Sequence, residues 1–416
     1  METEVRLKAK AAKSTAAKLR MLGTAVKNEA LKAIAEGLDN NRELIKVENK
    51  KDIENAKVSG MSVAMIDRLK LDDNRIDGMI EGIGEVVALP DPVGEIIDAW
   101  KLPNELSFQK VRVPLGLIGM IFESRPNVTI DAAILCLKSG NPVVLRGGEE
   151  ANHSNQILGK IIRAGIARAG MPEDAVQVIE TLDREAVGEM LTMNEYFDVI
   201  IPRGGHNLIN RVVREATVPV IKTGVGNCHM FVDESADFAN AVDIIENAKV
   251  QRPGVCNAIE TVLVHENIAE KFLPILYDRL NADDVEIRGC EKTRAILPEV
   301  TAAVEEDWAT EFLALILSVK VVGSVEEAIE HIALFGTKHS EAILTNNYEN
   351  SFKFVNNVDA AAVYVNASTR FTDGQQFGLG AEIGISTQNL HVRGPMGLRE
   401  LTTNKYIVFG HGQVRK

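Results

Sequence analysis

Cys256 stands on a Pro-Gly turn in QRPGVCNAIETVLV, residues 251–264, and its setting points to covalent chemistry. Upstream, Phe238, Ala241, Val242 and Ile245 recur at helical spacing; downstream, Ile259, Val262, Leu263 and Val264 read as a buried strand. The thiol therefore sits at a junction between two rigid elements, where a loop can aim it as a nucleophile. Taken alone, a cysteine is as readily a small buried hydrophobe, so the setting carries the reading. A free thiol has a pKa of about 8.5, and a thiolate at neutral pH needs something to favour it. Arg252 is a candidate for that role, or else a surface residue.

Two further patterns suit anions. Leu145-Arg146-Gly147-Gly148 and Pro202-Arg203-Gly204-Gly205 each run from an apolar strand into a glycine pair that opens a helix. Glycine lets the backbone approach a phosphate closely, and the free N–H groups of the following helix favour negative charge. The alternative is a pair of tight turns, since neither matches GxGxxG. Cys228-His229 offers two adjacent ligand types without two more at ligand spacing, so no metal site is read. His206 and His265 read as packing or surface residues.

The elements that must position these residues form an α/β chain. Residues 1 to about 90 carry helical periodicity, as in Leu31, Ala35 and Leu38. GEIIDAWKLPNELSFQKVRV, residues 94–113, reads as two extended arms around a turn, with Trp100 near the tip. From 111 to 223 short strands alternate with helices: LIGMIF, PVVL, AVQVIE, DVIIP and PVIK, hence a parallel sheet. Gly140 and Gly170, each followed two residues later by proline, read as helix stops. A second α/β unit begins near 229, and KYIVF, residues 405–409, reads as a strand available to another sheet edge.

Composition excludes several classes. With 416 residues, 45% of them hydrophobic, the chain can bury a substantial core over two or three domains. A formal net charge of −13 argues against a general nucleic-acid or anionic-membrane binder. Four widely spaced cysteines suggest neither a disulfide framework nor a zinc knuckle, which fits a reducing, cytoplasmic setting. The N-terminus lacks the apolar core of a signal peptide and reads as a surface helix, and FLALILSV is too short to span a bilayer.

The motifs RVPLGLIGMIFESRPNVT, SGNPVVLRGGEEA, VIIPRGG, QRPGVCNAIETVLVH, EEDWATEF and YVNASTRFTDG followed by FGLGAEIGIST occur in one order along nearly the whole chain. In them the chain resembles the aldehyde dehydrogenase superfamily, and within it the branch that acts on glutamyl phosphate. The resemblance implies two Rossmann-like parallel-sheet domains plus a β-arm for oligomerisation. A cofactor-binding domain is expected over 1–93 and 114–228, a catalytic domain over 229–385, and the arm over 94–113 with 386–416. The implied activity is reduction of L-glutamyl 5-phosphate by NADPH to L-glutamate 5-semialdehyde and phosphate in proline synthesis. Self-association through the arm and delivery of the labile substrate from glutamate 5-kinase are implied with it.

The same resemblance assigns roles. Cys256 matches the nucleophile that forms a thioester. Where ordinary members have a side-chain amide as oxyanion donor, the nearest match is Arg125, with Asn127 two residues on; Arg125 also suits a phosphate or carboxylate. Hydrolytic members carry a glutamate that activates water, and Thr223 or Gly224 stands there instead, which favours phosphate-linked reduction. Arg146 replaces a lysine that reaches the adenine ribose, while Glu149 falls where a glutamate would repel a 2′-phosphate. Gly147, Gly148, Gly204 and Gly205 complete the expected cofactor residues, and Glu311 falls at the spacing of the residue holding the nicotinamide ribose, or is a solvated residue. Arg370, with Asn366 in the same loop, is the first choice for the substrate's α-carboxylate, or else a surface charge. Three rivals remain at this stage: a hydrolytic NAD-dependent dehydrogenase, a catalytically silent binding protein, and a cysteine hydrolase.

Overall fold

The computed structural model describes residues 2–415, which divide into two compact units. Unit 1 comprises Met1–Thr223, Gly378–Gly384 and Met396–Lys416; unit 2 comprises Gly224–Phe377 and Ile385–Pro395.

Unit 1 opens with helices α1 (Glu4–Arg20), α2 (Thr24–Asn40), α3 (Arg42–Val58), α4 (Val63–Leu69) and α5 (Asp73–Ala88). Thr3, Ser62 and Asp72 cap α1, α4 and α5 by accepting backbone N–H groups, as short polar side chains do at helix starts. An antiparallel hairpin follows, β1 (Ile96–Lys101) with β2 (Ser107–Pro114). Trp100 stacks on Phe108 at 5.2 Å.

The alternating segment gives β3 (Ile118–Phe122), α6 (Asn127–Lys138), β4 (Val143–Gly147), α7 (Asn152–Arg168), β5 (Val176–Val178), α8 (Glu185–Thr192), β6 (Val199–Arg203) and α9 (His206–Glu215). The four strands are parallel, in the order β5-β4-β3-β6. Helix α1 buries Val5, Ala9 and Ala12 with Val144 and Ile200 of this sheet. Gly140 and Gly170 both adopt φ +78° one residue past a helix cap. The N–H of Asn141 returns to Cys136 and that of Met171 to Ile166, the bonds of a glycine-terminated helix.

PVIK does not extend the sheet as a strand. Only a bridge between Val220 and Ile200 forms, since Pro219 has no N–H to continue a ladder. The C-terminal strand, Thr402–Phe409, pairs antiparallel along the whole of β2 and completes a three-stranded sheet with the hairpin.

Unit 2 contains β7 (Cys228–Val232), α10 (Phe238–Val250), β8 (Ile259–His265), α11 (Glu266–Ala282), β9 (Glu286–Gly289), α12 (Glu291–Ile296), β10 (Thr301–Ala302), β11 (Ile316–Val322), α13 (Val325–Phe335), β12 (Ser340–Leu344), α14 (Tyr348–Asn357) and β13 (Ala362–Val365). These strands form one parallel sheet in the order β10-β9-β11-β8-β7-β12-β13. One face packs Val242, Ile245, Phe272 and Leu276 against Met230, Val262 and Val319. The other packs Ile332 and Phe354 against Phe231, Leu263 and Ile343. With both faces covered, the central strands β7, β8 and β12 are buried along their length. Among the described residues no helix is long and apolar enough to cross a membrane.

Candidate active site

Unit 2 carries Cys256 on the loop between α10 and β8, partly exposed and without a disulfide. The loop is braced from below. Cys228, at the start of β7, directs its thiol to the Cys256 carbonyl oxygen at 3.2 Å. Burial pushes that thiol well above the ordinary range, so it stays protonated and donates. Two cysteines of identical chemistry are thus separated by environment: Cys228 is a neutral strut, and Cys256 is the thiol that solvent can reach.

Gly226 lies against the same main chain. A Cβ at this position would overlap the Cys256 carbonyl group, so only glycine fits. The Gly226 N–H donates to Glu311 Oε1 at 2.6 Å. Asn227 anchors its amide to the carbonyls of Trp308 and Phe335 at 2.8 and 2.9 Å. Adjacent His229 pairs with Glu341 Oε2 through both its N–H and its ring Nδ1, at 2.7 and 3.1 Å. Cys228 and His229 therefore turn to separate partners, one to the Cys256 loop and one to a buried carboxylate.

From above, the loop is gripped by residues 368–372. Asn257 donates to the Thr372 carbonyl at 2.9 Å, and Thr369 Oγ1 donates to the Asn257 carbonyl at 2.7 Å. Arg370 forks over the loop, with Nη1 on Asn257 Oδ1 and Nε on Gln251 Oε1 at 2.9 Å. Burial lowers the pKa of Arg370, and Arg252 lowers it further, while Asp373 and Cys256 act to raise it. By reciprocity the guanidinium favours a thiolate at Cys256. Asn366, four residues earlier, adopts φ +54° and pairs both ends of its amide with the Thr345 main chain at 2.8 Å.

Asn257 and Gly226 were not singled out from sequence, and Cys228 was weighed there only as a metal ligand. Asn257 borders the cysteine, but nothing local marks its partners more than 100 residues away. Arg370→Met is expected to slow iodoacetamide alkylation of Cys256 at pH 7 by roughly 3- to 10-fold, with Arg370→Lys intermediate, since one neighbouring cation contributes about 1 kcal/mol to a thiolate. The pH profile of alkylation should move upward. An unchanged profile in the methionine variant would remove Arg370 from this role.

Unit 1 holds the remaining expected residues, at the carboxyl ends of the adjacent parallel strands β4, β3 and β6, where nucleotides bind in open α/β sheets. Arg146 is buried, with Nη1 on the Gly147 carbonyl and Nη2 3.4 Å from the Leu182 carbonyl. Burial lowers its pKa, countered chiefly by Glu150 and Glu149. A Cβ on Gly147 would overlap Asn155, and one on Gly148 would overlap Glu150. Glu150 accepts the Ser124 N–H at 2.5 Å and its hydroxyl at 2.9 Å.

At the second turn, the Gly205 N–H donates to Glu123 at 2.8 Å, and Glu123 also fills the space beside Gly204. Asn127, the first residue of α6, donates to Asp131 at 2.9 Å. Burial raises Asp131 to about 6, opposed by Arg203, Asn127 and Arg125. Thr223 donates its hydroxyl to the Pro202 carbonyl at 2.9 Å.

The first turn fits a dinucleotide. Its glycines leave no room for side chains, and two buried donors beside it, Arg146 Nε and Asn155 Nδ2, have no acceptor among the described residues. Arg184 lies 3.9 Å from Glu149, a cation next to the carboxylate that would oppose a 2′-phosphate.

Comparison with known proteins gives a consistent result. Residues 1–288 match the model of the aldehyde dehydrogenase family. The chain is 58% identical over 413 residues to the gamma-glutamyl phosphate reductase of Caldanaerobacter subterraneus subsp. tengcongensis, covering 99% of this chain and 100% of that protein. It is 57% identical over 416 residues to that of Halothermothrix orenii, covering 100% of both. The crystal structure of gamma-glutamyl phosphate reductase from Thermotoga maritima superimposes with a TM-score of 0.98 at 55% identity, covering 100% of both chains.

Proposed function

Since the chain belongs to the aldehyde dehydrogenase family, we propose that it reduces L-glutamyl 5-phosphate to L-glutamate 5-semialdehyde and phosphate, with NADPH, in L-proline synthesis. The observation that supports this most is full-length similarity to gamma-glutamyl phosphate reductases, joined to a partly exposed cysteine on a loop braced from both sides.

The Cys256 thiolate attacks the acyl carbon of the substrate. A C–S bond forms, the bond from the acyl carbon to the phosphate oxygen breaks, and phosphate leaves with the electron pair. The Cys256 main-chain N–H meets the developing oxyanion. The hydride that reduces the thioester to the aldehyde would come from a nicotinamide; the C–S bond then breaks, the electron pair staying on sulfur, and the Cys256 thiolate is restored. The first glycine turn with Arg146 and Asn155 would hold the cofactor's phosphates, and Arg184 beside Glu149 favours NADPH over NADH. Arg370, electrostatically coupled to Cys256, favours the thiolate. Thr223 and Gly224 stand where hydrolytic members carry a water-activating glutamate, and the Thr223 hydroxyl donates to Pro202, which supports phosphate rather than water as the acceptor in reverse.

The three-stranded sheet of β1, β2 and the C-terminal strand is the surface through which copies associate. It exposes Ile96, Trp100, Tyr406 and Phe409, and the edge strand β1 is exposed at every residue. The enzyme works in the cytoplasm and takes its short-lived substrate from glutamate 5-kinase.

The test follows nicotinamide absorbance with glutamate semialdehyde, NADP+ and added phosphate. Reduction of NADP+ is expected only when phosphate is present. Equal rates without phosphate would indicate a hydrolytic dehydrogenase and end this reading.

A further inference from the structure

Two charged side chains flank the nucleophile loop and are fully buried. Lys249 lies in the last turn of α10, and Glu260 is the second residue of β8; both are 0% exposed. Lys249 Nζ reaches Glu260 Oε2 at 2.5 Å and the Ile259 carbonyl at 3.0 Å. The pair thus joins the two ends of the segment that carries Cys256. The second Glu260 oxygen accepts the N–H of Leu313 at 3.1 Å. Leu313 has φ +54°, a backbone conformation that a branched side chain resists, so this bond holds a segment that would otherwise relax. Two residues before it, Glu311 receives the N–H of Gly226, whose backbone lies under Cys256.

We propose that Lys249 and Glu260 are positioning residues: a buried clamp that closes the nucleophile loop at both ends and, through the 311–313 segment, fixes Gly226 beneath it. Stability alone does not account for the pair. Removing two charges from water offsets most of what their attraction returns, and well-packed apolar residues of similar volume usually hold a core at least as well. Burial pushes Glu260 upward and Lys249 downward, each opposed by the other. What the pair supplies is direction: three hydrogen bonds that tie a helix end, a strand start and a neighbouring loop together, with the Gly226 N–H on Glu311 carrying the link on to the main chain beside Cys256.

The inference rests on Cys256 being the nucleophile, and both variants below keep Cys256, so the two ideas fail separately. In the double variant Lys249→Met with Glu260→Leu, no unpaired charge is left buried. It is expected to fold, to keep KM for NADP+ within about twofold, and to lose at least about 30-fold in kcat per titratable thiol, since misplacement by an ångström costs on this scale. The rate of Cys256 alkylation should change with it, whereas a purely structural pair would leave both untouched in the folded protein. A folded double variant with the wild-type kcat and alkylation rate overturns the proposal. Should it not fold, Glu260→Gln carries the test. The amide can accept from only one of the two donors that face it, so the clamp opens at one arm without a change in volume. A loss of about tenfold in kcat is expected, and an unchanged kcat would overturn the proposal.

Discussion

Cys256→Ser is expected to lower kcat for phosphate-dependent NADP+ reduction by on the order of 10⁴-fold or more, with little change in melting temperature. The small structural cost follows from the bracing, because the loop is held through the Cys256 carbonyl and through Asn257. The large chemical cost follows from the nucleophile. A serine hydroxyl ionises far less readily than a thiol. Cys228→Ser provides the contrast. A hydroxyl can still donate to the Cys256 carbonyl, so an effect below about tenfold is expected. Turnover above a few per cent in Cys256→Ser, or a larger loss at Cys228 than at Cys256, would remove Cys256 as the nucleophile. Mass measurement after reaction with substrate gives an independent check, through a glutamyl adduct on the peptide containing residue 256.

Gly226→Ala is expected to cost on the order of 100-fold or more in kcat, together with roughly 1–3 kcal/mol of stability. The added methyl would occupy the space of the Cys256 carbonyl, which is backbone and cannot rotate away. Either the nucleophile loop or the 224–228 segment must shift. Both are fixed, one by Cys228, Thr369 and Arg370, the other by Glu311 and the Asn227 amide. Gly224→Ala is the natural comparison. Its methyl would meet the Thr387 side chain, which can adjust, so a smaller loss is expected. Comparing kcat and thermal melts of the two variants decides the matter: equal behaviour would mean that contact with the Cys256 backbone is not what makes Gly226 necessary.

Local signals made much of the fold legible. The alternation of strands and helices from 111 to 223 reflects burial on both faces of a parallel sheet, and Gly140 and Gly170 end their helices through positive φ. The hairpin and the C-terminal strand were each readable as extended, but their pairing was not, because a strand at 402–409 carries no mark of a partner at 107–114. PVIK misled for a local reason, its apolar composition outweighing the missing proline donor.

At the site, the Pro-Gly turn and its flanking elements made Cys256 the candidate nucleophile, and the structure places it on a partly exposed loop. Glu260 was visible only as a polar residue within an apolar strand, and Lys249 as the basic end of an amphipathic helix. Only when both are buried together does either acquire a purpose. The difference between Cys228 and Cys256 is of the same kind, since solvent access and neighbouring charge are properties of the assembled fold.

The pairing of the C-terminal strand with β2 bears on how the chain is made. Unit 1 begins at the N-terminus but is completed only by Met396–Lys416, after the whole of unit 2 has been synthesised. At ribosomal rates of about 5–20 residues per second, β2 waits on the order of ten seconds or more with one edge open. During that interval the edge is free to pair with any extended segment nearby, including the hairpin of another nascent copy. A chain cut short before residue 402 would keep the reactive cysteine and its bracing yet leave that edge permanently uncovered, so premature termination should reveal itself as aggregation before it reveals itself as lost chemistry.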